Sequence, residues 1–328
     1  MTLFRPGDAR AGDLFTDRAL VAAMVAVESA WVGVDLEVPG DVDVAGLDPE
    51  PGGNPVIPLV GLLRARYPDL DVHTGLTSQD VLDTALVLML RDAVGAVRGH
   101  LGSALDALEA RRAESGALEA VGRTLTQWAL PVTLDHRFSA WGRGLAEAGR
   151  DLAALTFPVQ AGGPVGTGRF GGRLAGRLGL ADVPAWHTNR RPVTRAADAL
   201  VSVTDACGHV ARDVATLSRP EVGELSEGTG GGSSSMPHKA NPVLSVLVRS
   251  TALVAPQLAA TLHLAAADQG DERADGAWHA EWDTLRLLAR RTATAAAQTA
   301  DLLAGLRVHP DRVAANLAAA RAARGADS

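Results

Sequence analysis

The chain has 328 residues, of which 47% are hydrophobic, ample to close a core, and a formal net charge of -7 with neither sign gathered into runs. That balance gives no footing for a nucleic-acid-binding surface and favours a small-molecule or protein partner. A single cysteine, Cys207, excludes an internal disulfide framework and a paired-cysteine zinc site; with no secretory signal in residues 1–17 and no apolar stretch read as long enough to span a bilayer, a cytoplasmic protein is expected.

Taken in chain order, Leu20, Met24, Val27 and Trp31 recur at spacings of three and four and predict a first helix over 17–34. Residues 36–58 are broken by proline and glycine and read as loop, ending where Pro55 and Pro58 suit the start of a short helix. Thr77 stands three before Asp80, a capping-box-like pair ahead of the helical periodicity of 81–108. Further helices are predicted over 134–155, 242–266 and 282–306, with Asn241 and Pro242 suited to the N-cap and first position of the second of these. The strongest stripe is Leu200, Val203, Cys207, Val210, Val214 and Leu217, a long core helix that makes Cys207 a packing residue. Aromatic residues are scarce, at 4%, no strand alternation of useful length is found, and no repeat is present. The expected fold class is all-α, an elongated bundle of long helices.

The stretch EGTGGGSSSMPHKANPV, residues 227–243, interrupts this pattern. It has neither the spacing nor the preceding strand of a phosphate-binding loop or a dinucleotide fingerprint. Glycine and serine alone would make a solvated linker, but the following Met-Pro-His-Lys-Ala-Asn supplies a rigid end, a cation and a helix cap. In WHAEW, His279 and Glu281 are two apart and share no helix face, so the segment reads as packing with a polar edge, and no metal is expected.

The run from Gly232 to Asn241 resembles the signature of the fumarase/aspartase superfamily, G-S-S-x-M-P-x-K-x-N, at every fixed position. HTGLTSQDVLDTA from His73 and GRTLTQWALPVT from Gly122 resemble two further regions of that family in the same order. GGNPVIPLV from Gly52, GGPVGTG from Gly162, WHTNR from Trp186 and GAWHAEWDTL from Gly276 look most like its 3-carboxy-cis,cis-muconate cycloisomerase branch. The resemblance implies a small N-terminal helical domain over 1–80, a central long-helix bundle over 81–308, and a remnant of a largely missing C-terminal domain over 309–328. It also implies a homotetramer whose active sites draw on three chains, and cofactor-free chemistry.

In that chemistry a proton is moved next to a carboxylate, through an aci-carboxylate dianion. By resemblance the proton is carried by Ser233 on a mobile loop, with Gly230, Gly231 and Gly232 as its hinge. Lys239 and Asn241 suit substrate carboxylate binding and aci-carboxylate stabilisation, while His73, Thr77, Ser78, Gln127 and Arg190 are implied substrate contacts. Each also has an ordinary reading: Thr77, Ser78 and Asn241 as helix-end residues, Lys239 and Arg190 as surface charges, His73 as a loop histidine.

Relatives that release an amine or purine nitrogen usually carry a histidine where this sequence has Leu125 and a glutamate where it has Val246. An amine must be protonated as it leaves, whereas a carboxylate, with a conjugate acid of pKa about 4, departs as a stable anion. The joint loss of both partners therefore fits cycloisomerisation of 3-carboxy-cis,cis-muconate in the protocatechuate branch of aromatic catabolism. The alternatives are a superfamily lyase expelling a carboxylate or nitrite from a succinate-type substrate, and a non-catalytic paralogue.

Overall fold

A computed structural model describes residues 3–37, 44–228, 230–232, 235–236 and 239–326. Helix α1 (Asp17–Val32) begins where Thr16 Oγ1 accepts the Ala19 N–H at 3.2 Å and ends at Gly33, whose φ of 86° is the left-handed conformation of a helix stop. Met24, Val27 and Trp31 are buried as their spacing predicts. After the loop, α2 (Val56–Arg66) starts at Pro55.

Helix α3 (Ser78–Ser115) extends the predicted 81–108 at both ends. Its start is fixed by the anticipated capping box, with Thr77 N–H donating to Asp80 Oδ2 at 3.1 Å. It leads into α4 (Leu134–Ala153) through a hairpin of β1 (Glu119–Thr124) and β2 (Gln127–Thr133). The sequence reading had no strand here, and the reason is burial: β2 is exposed or half-exposed along its whole length, so no apolar alternation marks it. Leu125 and Thr126 form its two-residue turn with φ of 48° and 73°, the positive-φ pair that this tight reversal demands.

The short α5 (Gly171–Leu178) precedes α6 (Arg191–Leu217), on which Leu200, Val203, Cys207, Val210, Val214 and Leu217 are all buried. Burial pushes the Cys207 thiol up to about 11, against a lowering hydrogen bond with Thr299, which keeps it protonated and inert at neutral pH. Then come β3 (Leu225–Ser226), α7 (Val243–Ala267), α8 (Ala277–Ala304), β4 (Arg307–Val308), which pairs with β3, and α9 (Pro310–Ala326). Residues 309–328, expected as a remnant or tail, thus contain a helix, and Leu317 and Ala320 on it pack with Val121 of β1.

Side-chain pairs fix the helix directions. Trp278 Nε1 donates to Asp83 Oδ1 at 2.9 Å and Arg111 Nη1 to the Leu306 carbonyl at 3.3 Å, so α3 and α8 run parallel. His263 on α7 meets Asp198 on α6 at 2.9 Å while Ala252 lies against Gly208, so those two run antiparallel. Trp141 Nε1 of α4 donates to Asp213 of α6 at 2.8 Å. The bundle has two poles: the starts of α3, α6 and α8 lie at one, and the hairpin, the start of α7 and the end of α8 at the other.

Two expectations need correction. Asn241 does not cap α7 with its side chain; the Glu227 carboxylate does, accepting the Leu244 and Ser245 N–H groups at 3.1 and 2.7 Å and Ser245 Oγ at 2.7 Å. A carboxylate satisfies two free amides and complements the helix dipole, which a neutral amide cannot do as well. The chain also does contain an apolar stretch of membrane-spanning length and composition: α7 has a mean hydropathy of 1.5 over an 18-residue window. Arg249 and Pro256 lie within it, and a single helix of this kind does not by itself mark a membrane protein.

Candidate functional site

At the first pole a fully buried carboxylate organises the backbone. Asp80 accepts from Gln160 Nε2 at 3.0 Å, Gly162 N–H at 2.8 Å and Gly163 N–H at 2.9 Å, besides the Thr77 amide, and His187 Nε2 lies 3.3 Å away. The GGPVGTG loop is thereby pinned to the start of α3. Its glycines are required by contact: a Cβ on Gly162 would fall 2.6 Å from Ala185 Cβ and 2.8 Å from Gly166 Cα.

Against this scaffold sits His73, in the left-handed region at φ 63°. Glu28, fully buried on α1, holds both its backbone N–H, at 3.0 Å, and its Nδ1, at 2.6 Å. A carboxylate on Nδ1 fixes the ring and the tautomer, leaving Nε2 without a partner among the described residues. Thr77 and Ser78 occupy the cap and first position of α3, as the sequence predicts, where free amides and the helix dipole favour an anion. Arg273, which sequence reasoning missed, donates through Nη2 to Thr77 Oγ1 and, at 3.3 Å, to the Pro164 carbonyl. Its Nη1 and Nε make no hydrogen bond among the described residues, so this pole presents a guanidinium edge beside a helix N-terminus. The only sequence signal for Arg273 was its place three residues before the GAWHAEW segment.

Arg190 belongs to a different structure from the one expected. Its side chain is 1% exposed and all five of its N–H donors are used: Nε on Glu281, Nη1 on Asp83 and the His187 carbonyl, Nη2 on Asp83 and Glu281. No donor remains for a substrate carboxylate, so the substrate-contact reading is withdrawn. Burial alone would lower its pKa, but the Asp83 and Glu281 carboxylates more than offset this and raise it. Glu281 of WHAEW is the partner that the packing interpretation left out.

At the opposite pole, Gly231 and Asn241 exchange two backbone hydrogen bonds of 2.8 Å, closing the signature segment into a loop. Asn241 Nδ2 reaches the Gly232 carbonyl at 3.4 Å, and the Lys239 amide donates to the Met236 carbonyl at 3.0 Å with its side chain exposed. Gly230 and Gly232 flank this bridge; Gly231, doubly bonded, forms the base of the loop and is not a free hinge. Ser233 lies outside the described residues. Gln127 is exposed next to the hairpin turn, its amide on Thr126 Oγ1 at 3.2 Å.

The structure does not bring the two sets together within one chain. The part of α3 from Ser78 to Arg111 is about 50 Å long at the helical rise. Arg111 is bonded to Leu306 beside Gly305, and Gly305 touches Gly228 at the root of the signature loop. His73, Thr77 and Ser78 therefore lie a whole bundle length from Gln127, Lys239 and Asn241.

A bundle of long parallel and antiparallel helices is the fold expected of a fumarase/aspartase-type lyase. The chain belongs to that superfamily: the lyase family model matches residues 54–256. It is 38% identical to a nitrosuccinate lyase of Streptomyces davaonensis over 92% of this chain and 73% of that protein. It is 39% identical to a 3-carboxy-cis,cis-muconate cycloisomerase of Bradyrhizobium diazoefficiens over 81% of this chain but only 63% of that protein. The crystal structure of the 3-carboxy-cis,cis-muconate lactonizing enzyme of Pseudomonas putida superposes with a TM-score of 0.87 at 31% identity, covering 95% of this chain and 79% of that one.

Proposed function

We propose that the chain is a cofactor-free cycloisomerase acting on 3-carboxy-cis,cis-muconate, with Ser233 delivering the proton to the carbon beside a carboxylate as a second carboxylate closes the lactone. The observation that carries this reading is the turn at Leu125. The side chain is 95% exposed at the hairpin tip, and the first turn of α7 offers Val246, itself 54% exposed, where amine-releasing relatives carry an acid–base pair. A site completed by these surfaces has no general acid at either position, which suits a group that adds or leaves as an anion. Lys239 and Asn241 supply the point charge and the neutral donor for the aci-carboxylate, and the Thr77–Ser78 helix start with Arg273 supplies a seat for another carboxylate.

Because the two poles are a bundle length apart, the site is composite, assembled when copies pack with their helices antiparallel, pole to opposite pole. Helix α7 supports that assembly: Val243, Val246, Leu253, Ala260 and Leu264 follow heptad spacing on one face and are all exposed in the single chain, Leu253 by 75% and Leu264 by 71%. A homotetramer with long helices at its centre would cover this stripe.

A second reading is supported by the similarity to nitrosuccinate lyase, which matches the similarity to the Bradyrhizobium cycloisomerase in identity, at 38% against 39%. Nitrite, like a carboxylate, leaves without a proton of its own, so the same groups would serve. Purified protein mixed with 3-carboxy-cis,cis-muconate should bleach its ultraviolet absorbance, and Ser233→Ala should abolish this. Nitrite release from nitrosuccinate with the diene untouched would select the second reading, and inactivity on both would refute the two together.

A further inference from the structure

Under the β1–β2 hairpin, Arg123 of β1 and Arg137 of α4 converge on the carboxylate of Glu224, which is fully buried. Arg123 takes both of its oxygens, at 2.6 and 3.1 Å, and Asn316 Nδ2 adds a third bond at 2.9 Å. Arg137 is left over. Its Nη1 stays 3.5 Å from Glu224 Oε2 and is buried without a hydrogen-bond partner among the described residues, and its Nη2 has only a 3.5 Å contact with the Val121 carbonyl. The other carboxylate acting on it is Asp213, whose Oδ2 already accepts Trp141 Nε1 at 2.8 Å and lies 3.6 Å from His209. Two guanidinium charges thus share one buried carboxylate, and the second is held only by contacts of 3.5 Å.

Arg137 also lines a cavity of about 370 Å³ between the hairpin and helices α4 and α6. Leu130, Val132 and Ala140 form its apolar wall, while Arg123, His136, His209 and Asp213 stand with Arg137 on the polar one, two arginines against a single carboxylate. A volume of this order is within the range of about 300–1,000 Å³ typical of small-molecule sites. Arginine presents a planar fork that matches a carboxylate better than any neutral group.

We propose that this cavity, at the base of the hairpin and apart from the signature loop, is a second ligand site for a small monocarboxylic acid with an apolar, aromatic body. The carboxylate meets the cavity-facing side of the Arg137 guanidinium, and the ring lies against the Leu130–Val132 face of β2. Because β2 also carries Gln127, occupancy ties the hairpin more firmly to α4 and α6. The inference does not depend on which reaction the enzyme performs.

Benzoate is the probe, titrated into the full chain by calorimetry and followed by tryptophan fluorescence. Saturable binding at one site per chain is expected, with benzamide, the same ring without the charge, at least about tenfold weaker. Arg137→Gln should weaken benzoate by a similar factor while Arg123 and Asn316 still serve Glu224. Ala140→Phe, which fills the cavity and touches no ion pair, should abolish binding with the melting temperature kept. His73→Ala, at the other pole, should leave it intact. Absence of binding, equal binding of benzamide, retention in the folded Ala140→Phe protein, or loss in His73→Ala would each overturn the proposal.

Discussion

Replacing Arg190 with methionine removes the one cation between two carboxylates whose side chains are 0% and 1% exposed. Asp83 would keep the Trp278 indole and the Gln79 amide as donors, but Glu281 would lose all three of its bonds to Arg190. Removing one partner of a buried ion pair costs about 3–5 kcal/mol, because the remaining charge is desolvated and unpaired. With Asp83 partly served, Arg190→Met should fall near the middle of that range, about 4 kcal/mol. Glu281→Gln keeps the volume, returns the cluster to one charge of each sign, and forfeits part of a charged hydrogen bond, so about 1–2 kcal/mol is expected. The two are compared by urea unfolding at one protein concentration, since any self-association would add to apparent stability. Arg190→Met losing less than about 1 kcal/mol, or no more than Glu281→Gln, would refute the view that these carboxylates depend on Arg190.

The same cluster fixes a pH dependence. Burial raises the Glu281 pKa above its ordinary 4.5, Arg190 opposes this, and Asp83 adds to it. The folded state therefore holds this proton to higher pH than the unfolded chain does. The contribution is fully present below the unfolded pKa and is lost as pH rises through the folded one. Wild type should thus lose stability relative to Glu281→Gln as pH climbs from about 4.5. A constant difference, or one of opposite sign, would show that Glu281 is not strained by its surroundings.

Asp80→Asn leaves a single acceptor for the Thr77, Gly162 and Gly163 amides and should cost about 1–3 kcal/mol, read as a lowered melting temperature with the GGPVGTG loop opened to proteolysis. The double variant Leu253→Glu, Leu264→Glu places charge in the exposed α7 stripe; light scattering should show smaller species, and the activity should fall with assembly. Thr126→Gly relieves a β-branched residue held at φ 73° and should raise stability by about 1 kcal/mol in the same urea assay.

Much of the fold was legible because burial in a helical bundle writes a stripe at spacings of three and four, and the α6 stripe is the plainest case. What escaped lacks such a stripe. The hairpin is half in solvent, so its sequence carries no alternation to detect. Arg190 was misassigned for a different reason: a local motif says that an arginine is present but not what it meets, and its partners lie far off in the chain, at Asp83 and Glu281. The capping residue Asp80 was found, yet its larger task of holding the 162–163 amides depends on a loop about eighty positions away. A short signature is legible when its physics is local, as with a cap or a glycine turn. The catalytic assignment is the extreme of the opposite case, since the motif of His73, Thr77 and Ser78 and that of Lys239 and Asn241 lie at opposed ends of the same bundle. On the composite-site proposal their meeting would need the exposed face of α7 to find another copy, and that face, Leu253 and Leu264 included, reads from its composition like one more core helix.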